Sequence, residues 1–182
     1  MEKILITGTG RCGTTFLIKI FSWLEFDTGY TKNNYETTIF KNCNSGMERK
    51  YNEKFYILKN PKFMINIRHI LQDTNVIVKK VIIPLREYEL SAESRVKHKN
   101  NAGGLLCSND KKSQILFYRQ IISNYIYFMT KHNIDTIFID FDKMINDKEY
   151  LFNKLKVILD EKNVDFNLFC KIYDDVSLSS KP

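Results

Sequence analysis

Residues 4–16, Ile4-Leu5-Ile6-Thr7-Gly8-Thr9-Gly10-Arg11-Cys12-Gly13-Thr14-Thr15-Phe16, restrict what this chain can fold into more than any other stretch. An apolar run, a glycine-rich turn and a helical pattern follow one another without a gap. Lys3 to Thr7 reads as a short buried strand. From Gly13 onward, Phe16, Leu17, Ile20, Phe21 and Leu24 fall on one face of a 3.6-residue period. Between strand and helix lie Gly8, Gly10 and Gly13, which allow positive φ and close approach of the backbone to a ligand. A strand, a tight turn and a helix N-terminus in this order aim unpaired N–H groups and the positive end of the helix dipole at one place. That is an anion site.

The remainder of the chain predicts what surrounds this turn. Strands are expected at Phe55–Lys59, stopped by Asn60-Pro61, within Val76–Leu85 around Val81-Ile82-Ile83, and at Thr136–Ile139. Helices are expected from Phe63 to Leu71 (apolar side Phe63, Ile67, Ile70, Leu71), from Glu87 to Lys97, and from Ser113 to Lys131 with Ile115, Ile122, Ile126 and Met129 inward. Further helices run from Asp147 to Leu159 and, briefly, from Phe166 to Ile172 before a frayed tail. Thr31 to Lys54 is polar, basic and weakly patterned, with Asn33, Asn34, Asn42, Asn44 and Gly46. His98 to Lys112 is loop, marked by Asn100-Asn101 and Gly103-Gly104. Strands separated by helices imply right-handed crossovers and a parallel sheet. Ligands on such sheets sit outside the carboxyl ends of the strands. The informative residues therefore follow each strand: the Gly8–Thr15 loop, Lys59-Asn60-Pro61, Arg86, and Asp140-Phe141-Asp142.

Length and composition set the outer bounds. The 182 residues fit one domain spanning 1–182, and 43% apolar content suffices for a core. No leader-like apolar region precedes the first strand, and no apolar run approaches the ~20 residues of a membrane helix. Cys12, Cys43, Cys107 and Cys170 lie far apart with no C-x2-C spacing, as expected of reduced thiols in a cytoplasmic protein without a zinc site. The net charge of +7 suits a polyanionic nucleotide as well as a nucleic acid, and a composition rich in Lys, Asn and Ile explains much of it.

Two phosphate-binding patterns compete for the loop. Gly8-x4-Gly13-x-Thr15 has the spacing of a Walker A loop, but Thr14 stands where the lysine that reaches the β- and γ-phosphates belongs. Arg11-Cys12-Gly13-Thr14-Thr15 resembles instead the 5′-phosphosulfate loop of sulfotransferases, in which a Lys or Arg precedes Ser-Gly-Thr-Thr. Here Cys12 replaces the serine. The resemblance extends from residue 3 to about 160. Arg86 and Ser94 match the strand-end Arg and the helical Ser that hold the donor's 3′-phosphate in that family, although Arg86-Glu87-Tyr88 lacks its usual Arg-Asp-Pro. Ser91 is a rival hydroxyl, and Arg95 could add charge. Lys59 matches a lysine that faces the transferring group. The segment Ile137–Met144 resembles the family's late strand.

The resemblance implies a P-loop NTPase-like three-layer α/β sandwich with a central parallel sheet. It implies 3′-phosphoadenosine 5′-phosphosulfate (PAPS) as donor, cradled by Gly8, Thr9, Gly10, Arg11, Cys12, Gly13, Thr14 and Thr15, with Arg86 and Ser94 on the 3′-phosphate. Arg11 and Lys59 would neutralise charge in transfer to a hydroxyl or amine of a small molecule or saccharide, with no metal, nucleic acid or membrane required. The catalytic histidine of some cytosolic members is replaced by Pro61. Glu36, about as far past the loop as the glutamate of other branches, ranks first as base, with Asp27, His69 and His98 behind it. A kinase-like phosphotransferase using ATP-Mg and Asp140, or a non-catalytic nucleotide-binding module, are the alternatives.

Overall fold

The computed structural model describes residues 1–40, 43, 45–98 and 103–180. Asn42, Asn44 and the Asn100-Asn101 pair lie outside the described residues. The architecture is a three-layer α/β sandwich around a four-stranded parallel sheet.

Strands β1 (Glu2–Ile6), β4 (Ile57–Lys59), β5 (Ile77–Leu85) and β6 (Asp135–Asp140) are arranged in the order β4-β1-β5-β6. Ile4 to Ile6 pair with Ile57 to Lys59 on one side and with Lys80 to Ile82 on the other. β6 pairs along Lys80 to Leu85. The two-residue strands β2 (Ile39–Phe40) and β3 (Ser45–Gly46) form a separate antiparallel hairpin.

Alternation within the strands divides the core. Ile4, Ile6, Ile57, Ile82 and Ile139 point to one face. There they meet helices α1 (Thr14–Trp23), α6 (Lys148–Leu159) and α7 (Phe166–Ser179). Leu5, Leu58, Val81 and Ile83 point to the other face. There they meet α2 (Phe63–Gln72), α3 (Tyr88–His98) and α4 (Lys111–Lys131). With period-2 side chains, each strand serves both cores at once.

The chain leaves β1 toward β4 through α1, then recrosses β1 toward β5 through α2. Right-handed crossovers running in opposite directions put their helices on opposite faces. β1 is thus the strand at which the chain reverses direction, where open α/β sheets leave a crevice beyond the strand ends.

Three sequence expectations are corrected. The C-terminal helix does not end at Ile172 with a frayed tail; it continues to Ser179, because Phe169, Tyr173 and Val176 form one buried stripe against α1 and α6. Ile126 does not point inward but is exposed, since α4 buries Tyr118, Ile121, Ile122, Tyr125 and Met129 and leaves Leu116, Ile126 and Tyr127 outside. The run after β6 is a short helix, α5 (Phe141–Asn146), whose N-terminus is capped by the Asp140 carboxylate accepting from Lys143 N at 2.9 Å.

Phe169 is fully buried and stacks edge-on with Phe152 at 5.4 Å. Phe169→Ala is expected to cost about 3–5 kcal/mol, the usual range for a large aromatic deleted from a core. Urea denaturation would read it as a lowered midpoint. A change near zero would mean that α7 is not part of the cooperative core.

Candidate functional site

The loop between β1 and α1 closes in left-handed backbone. Gly10 has φ 77°, Arg11 φ 59° and Gly13 φ 85°. The backbone angle is what favours glycine at 13; a Cβ there would also fall 2.3 Å from Met144 Cε, the end of a flexible side chain, and 3.1 Å from the Phe141 ring. Gly8 takes no positive φ; its place is set by the buried Cys12 thiol, 2.6 Å from where its Cβ would be. Arg11 is the exception, an ordinary residue in left-handed conformation. Such a residue persists where surroundings over-determine it, and Arg11 is held from three directions. Its carbonyl accepts from Arg86 Nη1 at 3.1 Å, its Nε donates to Ser94 Oγ at 2.9 Å, and its Nη1 donates to the Cys43 carbonyl.

Helix α1 follows with no side-chain cap at Gly13 and no acid in its first turn. Its first amides therefore face the loop without an intrahelical acceptor. All ten residues of α1 are buried, so the helix is fixed in place.

A cavity of about 440 Å³ opens over this loop. One wall is Gly10, Arg11, Gly13, Thr14 and Thr15. A second comes from the end of β4 and the hairpin: Lys59, Asn60, Pro61, Lys62, Ser45 and Glu48. A third comprises residues 103–106 with Arg95. The walls meet at the carboxyl edge of the sheet, where Thr7 ties them. Its hydroxyl donates to the Asn60 carbonyl at 3.0 Å and accepts from Met64 N at 3.1 Å.

The charges here are arranged unevenly. Lys59 is almost fully buried and donates to the Gly46 carbonyl at 2.8 Å and to Glu48 Oε1 at 3.3 Å. Desolvation pushes its ammonium pKa down, and the Glu48 carboxylate partly offsets this. Arg11, Arg86 and Arg95 have no such partner. No carboxylate lies within ion-pair distance of any of them among the described residues. The residues outside the described set include no Asp or Glu. Burial lowers the Arg11 guanidinium from its ordinary value, and the Arg95 and Arg86 charges lower it further. Arg86 lies over the Phe141 ring at 4.7 Å with a buried Nε that has no acceptor.

The structure thus gathers the 8–15 loop, Lys59, Arg86 and Ser94 around Arg11, but in a particular way. Ser94 accepts from Arg11 and Arg86 binds the Arg11 carbonyl, so both buttress the loop, and neither lines the cavity. Glu36 is not brought to this cavity. It opens a short 3-10 turn, Glu36–Thr38, and lines a separate concavity with Trp23, Lys32 and Asp175. Asp27 lines a third, of about 710 Å³, built from residues 22–33. His69 packs on Tyr51, 3.2 Å from its hydroxyl, and His98 ends α3 with its imidazole pKa lowered by burial and the Arg11 charge.

One site residue escaped the sequence reading: Glu48 carries no local signal, and its position comes from the hairpin and from Lys59. Arg95, which the sequence offers as added charge, forms the buried side of α3 with Ser91 and Ala92. Among the described residues, no group of three or more His, Cys, Asp or Glu gathers to hold a metal. No described helix is long and apolar enough to cross a membrane.

What the fold and site define is an α/β protein with a glycine-rich strand–loop–helix turn that lines a cavity at the carboxyl edge of its sheet. No family model, curated protein or solved structure matches the chain.

The lowered Lys59 pKa gives a signed prediction. The charged ammonium favours a bound anion, so affinity for inorganic pyrophosphate is expected to fall as pH rises through the Lys59 pKa, below the ordinary lysine value of 10.5. Lys59→Arg keeps its charge and moves that fall upward. Titration calorimetry across pH checks it, and a fall unmoved in Lys59→Arg would assign the titration to another group.

Proposed function

We propose that this chain is a PAPS-dependent sulfotransferase. One observation carries the reading: three guanidinium groups, Arg11, Arg86 and Arg95, stand around a glycine-rich strand–loop–helix turn with no carboxylate to neutralise them. A cluster of like charges is costly unless a multiply charged anion completes it. A nucleotide bearing both a 5′-phosphosulfate and a 3′-phosphate supplies anionic groups in two places, and a guanidinium fork suits such groups. The sequence resemblance of the loop points to the same donor.

In the proposed reaction an acceptor hydroxyl attacks the donor sulfur. The new S–O bond forms as the bond to the bridging phosphate oxygen breaks. The sulfuryl group moves to the acceptor, the nucleotide leaves as its 3′,5′-bisphosphate (PAP), and the hydroxyl proton passes to a base. Charge gathers on the bridging oxygen as that bond breaks. Arg11, Lys59 and the loop, which share the cavity wall, would stabilise that charge, the preorganised form of electrostatic stabilisation.

The carboxylate the geometry offers as base is Glu48, in place of Glu36. It lines the cavity, its side chain is 45% exposed, and it pairs with Lys59 at 3.3 Å. Asp140, which a kinase-like reaction would use for Mg²⁺, is engaged in capping α5. The wall beside Lys59 has Ser45, Asn60 and Lys62 and, among the described residues, no aromatic one, which suits a hydroxyl-rich, anionic acceptor such as a saccharide.

Arg11→Ala, on the cavity wall, is expected to weaken PAP binding by about 1.5–3 kcal/mol, the loss of a charged hydrogen bond, and Arg86→Ala is expected to weaken it less, by freeing the Arg11 carbonyl that Arg86 holds. Calorimetry with PAP and with ATP-Mg decides the assignment. Tight ATP-Mg binding without PAP binding would replace it with a phosphotransferase. Glu48→Gln should bind PAP as the parent does yet lose ~10²–10⁴-fold in transfer to a saccharide acceptor panel, the weight of general-base catalysis. Glu36→Gln, outside the cavity, should turn over normally. The reverse pattern would return the base to Glu36.

A further inference from the structure

The third wall of the cavity is short and held at two points. Gln114, fully buried at the start of α4, accepts from Leu106 N at 2.8 Å and donates to the Leu106 carbonyl at 3.2 Å. That tie is internal to the wall and its supporting helix. The other tie is Arg95. Its Nη1 donates to the Gly104 carbonyl, and its Nη2 donates to the Thr9 carbonyl of the anion loop at 2.8 Å. One guanidinium thus joins the wall to the loop.

The arrangement is specific. Arg95 crosses the loop directly over Gly10, where a Cβ would stand 2.0 Å from its Nη2. The side chain is only 6% exposed, lines the cavity and has no acidic partner. Its Nε has no acceptor of good geometry, and the Tyr118 hydroxyl interacts with the Arg95 guanidinium, whose carbon lies 6.0 Å from the Tyr118 ring centre. A buried cation with an unmet Nε donor, repelled by Arg11, would be relieved by an anion in the cavity.

We propose that Arg95 is a positioning residue that couples an anion on the 8–15 loop to the order of the 103–106 wall. The inference rests on that loop being a phosphate or sulfate site, as the proposed function requires, but not on sulfuryl transfer. An anion relieves the repulsion among the guanidinium groups and favours the state in which Arg95 spans both carbonyls. Because it binds that state better, it shifts the wall toward it. Arg at this position can reach two carbonyls at once through its planar fork; a lysine ammonium on the same backbone is a point charge and cannot.

Hydrogen–deuterium exchange of the peptide covering 103–106, with and without saturating PAP or inorganic pyrophosphate, tests the coupling. In the parent protein either anion should slow exchange there. Arg95→Lys should still bind pyrophosphate, within about tenfold of the parent, but lose the slowing. Gln114→Leu should exchange faster in both states and keep the slowing. If Arg95→Lys and Gln114→Leu behave alike, Arg95 is an ordinary structural tie and the proposal fails. PAP binding to the parent without any slowing also overturns it, while leaving the sulfotransferase reading intact. Pyrophosphate binding with slowing, in a protein that does not bind PAP, keeps the coupling and removes the donor assignment. Binding of neither anion refutes the coupling outright.

Discussion

Like charges held in one another's field without a counter-charge are a standing cost, and the cluster of Arg11, Arg86 and Arg95 is built around that cost. The fold meets it with backbone carbonyls. Arg86 binds the carbonyl of Arg11, Arg95 binds those of Thr9 and Gly104, and Arg11 binds that of Cys43. A carbonyl is a dipole, not a charge. It satisfies Nη donors of Arg86 and Arg95, though not their Nε groups, while leaving the positive potential of the cluster intact. A carboxylate in the same place would make the apo protein more stable and occupy the position an anionic ligand needs. The left-handed conformation of Arg11 belongs to the same compromise: it aims the Arg11 carbonyl at Arg86 and its side chain at Ser94.

How much of this was legible follows from how local each feature is. The strand, the glycine turn and α1 are consecutive, so their order and spacing state the cradle directly. The four sheet strands were readable because β-branched apolar runs buried on both faces leave little alternative, and their parallel arrangement followed from the intervening helices. The end of α7 was misread because Asp174, Asp175 and Ser177 look like a tail, although Phe169, Tyr173 and Val176 keep the helical spacing through them. Ile126 was misread because α4 carries apolar residues on its outer face as well, and periodicity alone does not say which stripe meets the sheet.

The acid at the cavity could not be read from the sequence, for a different reason. Glu48 and Glu36 sit in the same weakly patterned segment, and distance along the chain was the only guide between them. What separates them is long-range. Arg49 N donates to the Lys59 carbonyl at 3.0 Å, and Asn60 Nδ2 donates to the Arg49 carbonyl at 3.0 Å. These bonds draw the segment after β3 alongside the end of β4, and they carry Glu48 to Lys59. Glu36, twelve residues earlier in the numbering, is left beside Tyr35 and the end of α7 instead. A chain segment without periodicity takes its place from the elements it touches, and those contacts are not written locally.

The two cationic sides of the cavity consequently differ in kind. The guanidinium groups on the loop side are tied to carbonyls and without an acid, which suits binding a fixed anionic group. Lys59 on the β4 side is buried, its pKa lowered by desolvation, and it is paired with a carboxylate that is itself half exposed. In the proposed reaction, negative charge growing next to Lys59 would compete with Glu48 for the ammonium. Without Glu48 the buried Lys59 would lose the carboxylate that offsets its desolvation, and an acceptor hydroxyl would meet no carboxylate from this wall. On the proposed reading, the division places binding on rigid, sequence-local elements around β1 and α1. It places the responsive groups where the hairpin and β4 meet, on the part of the fold that long-range contacts alone hold in position.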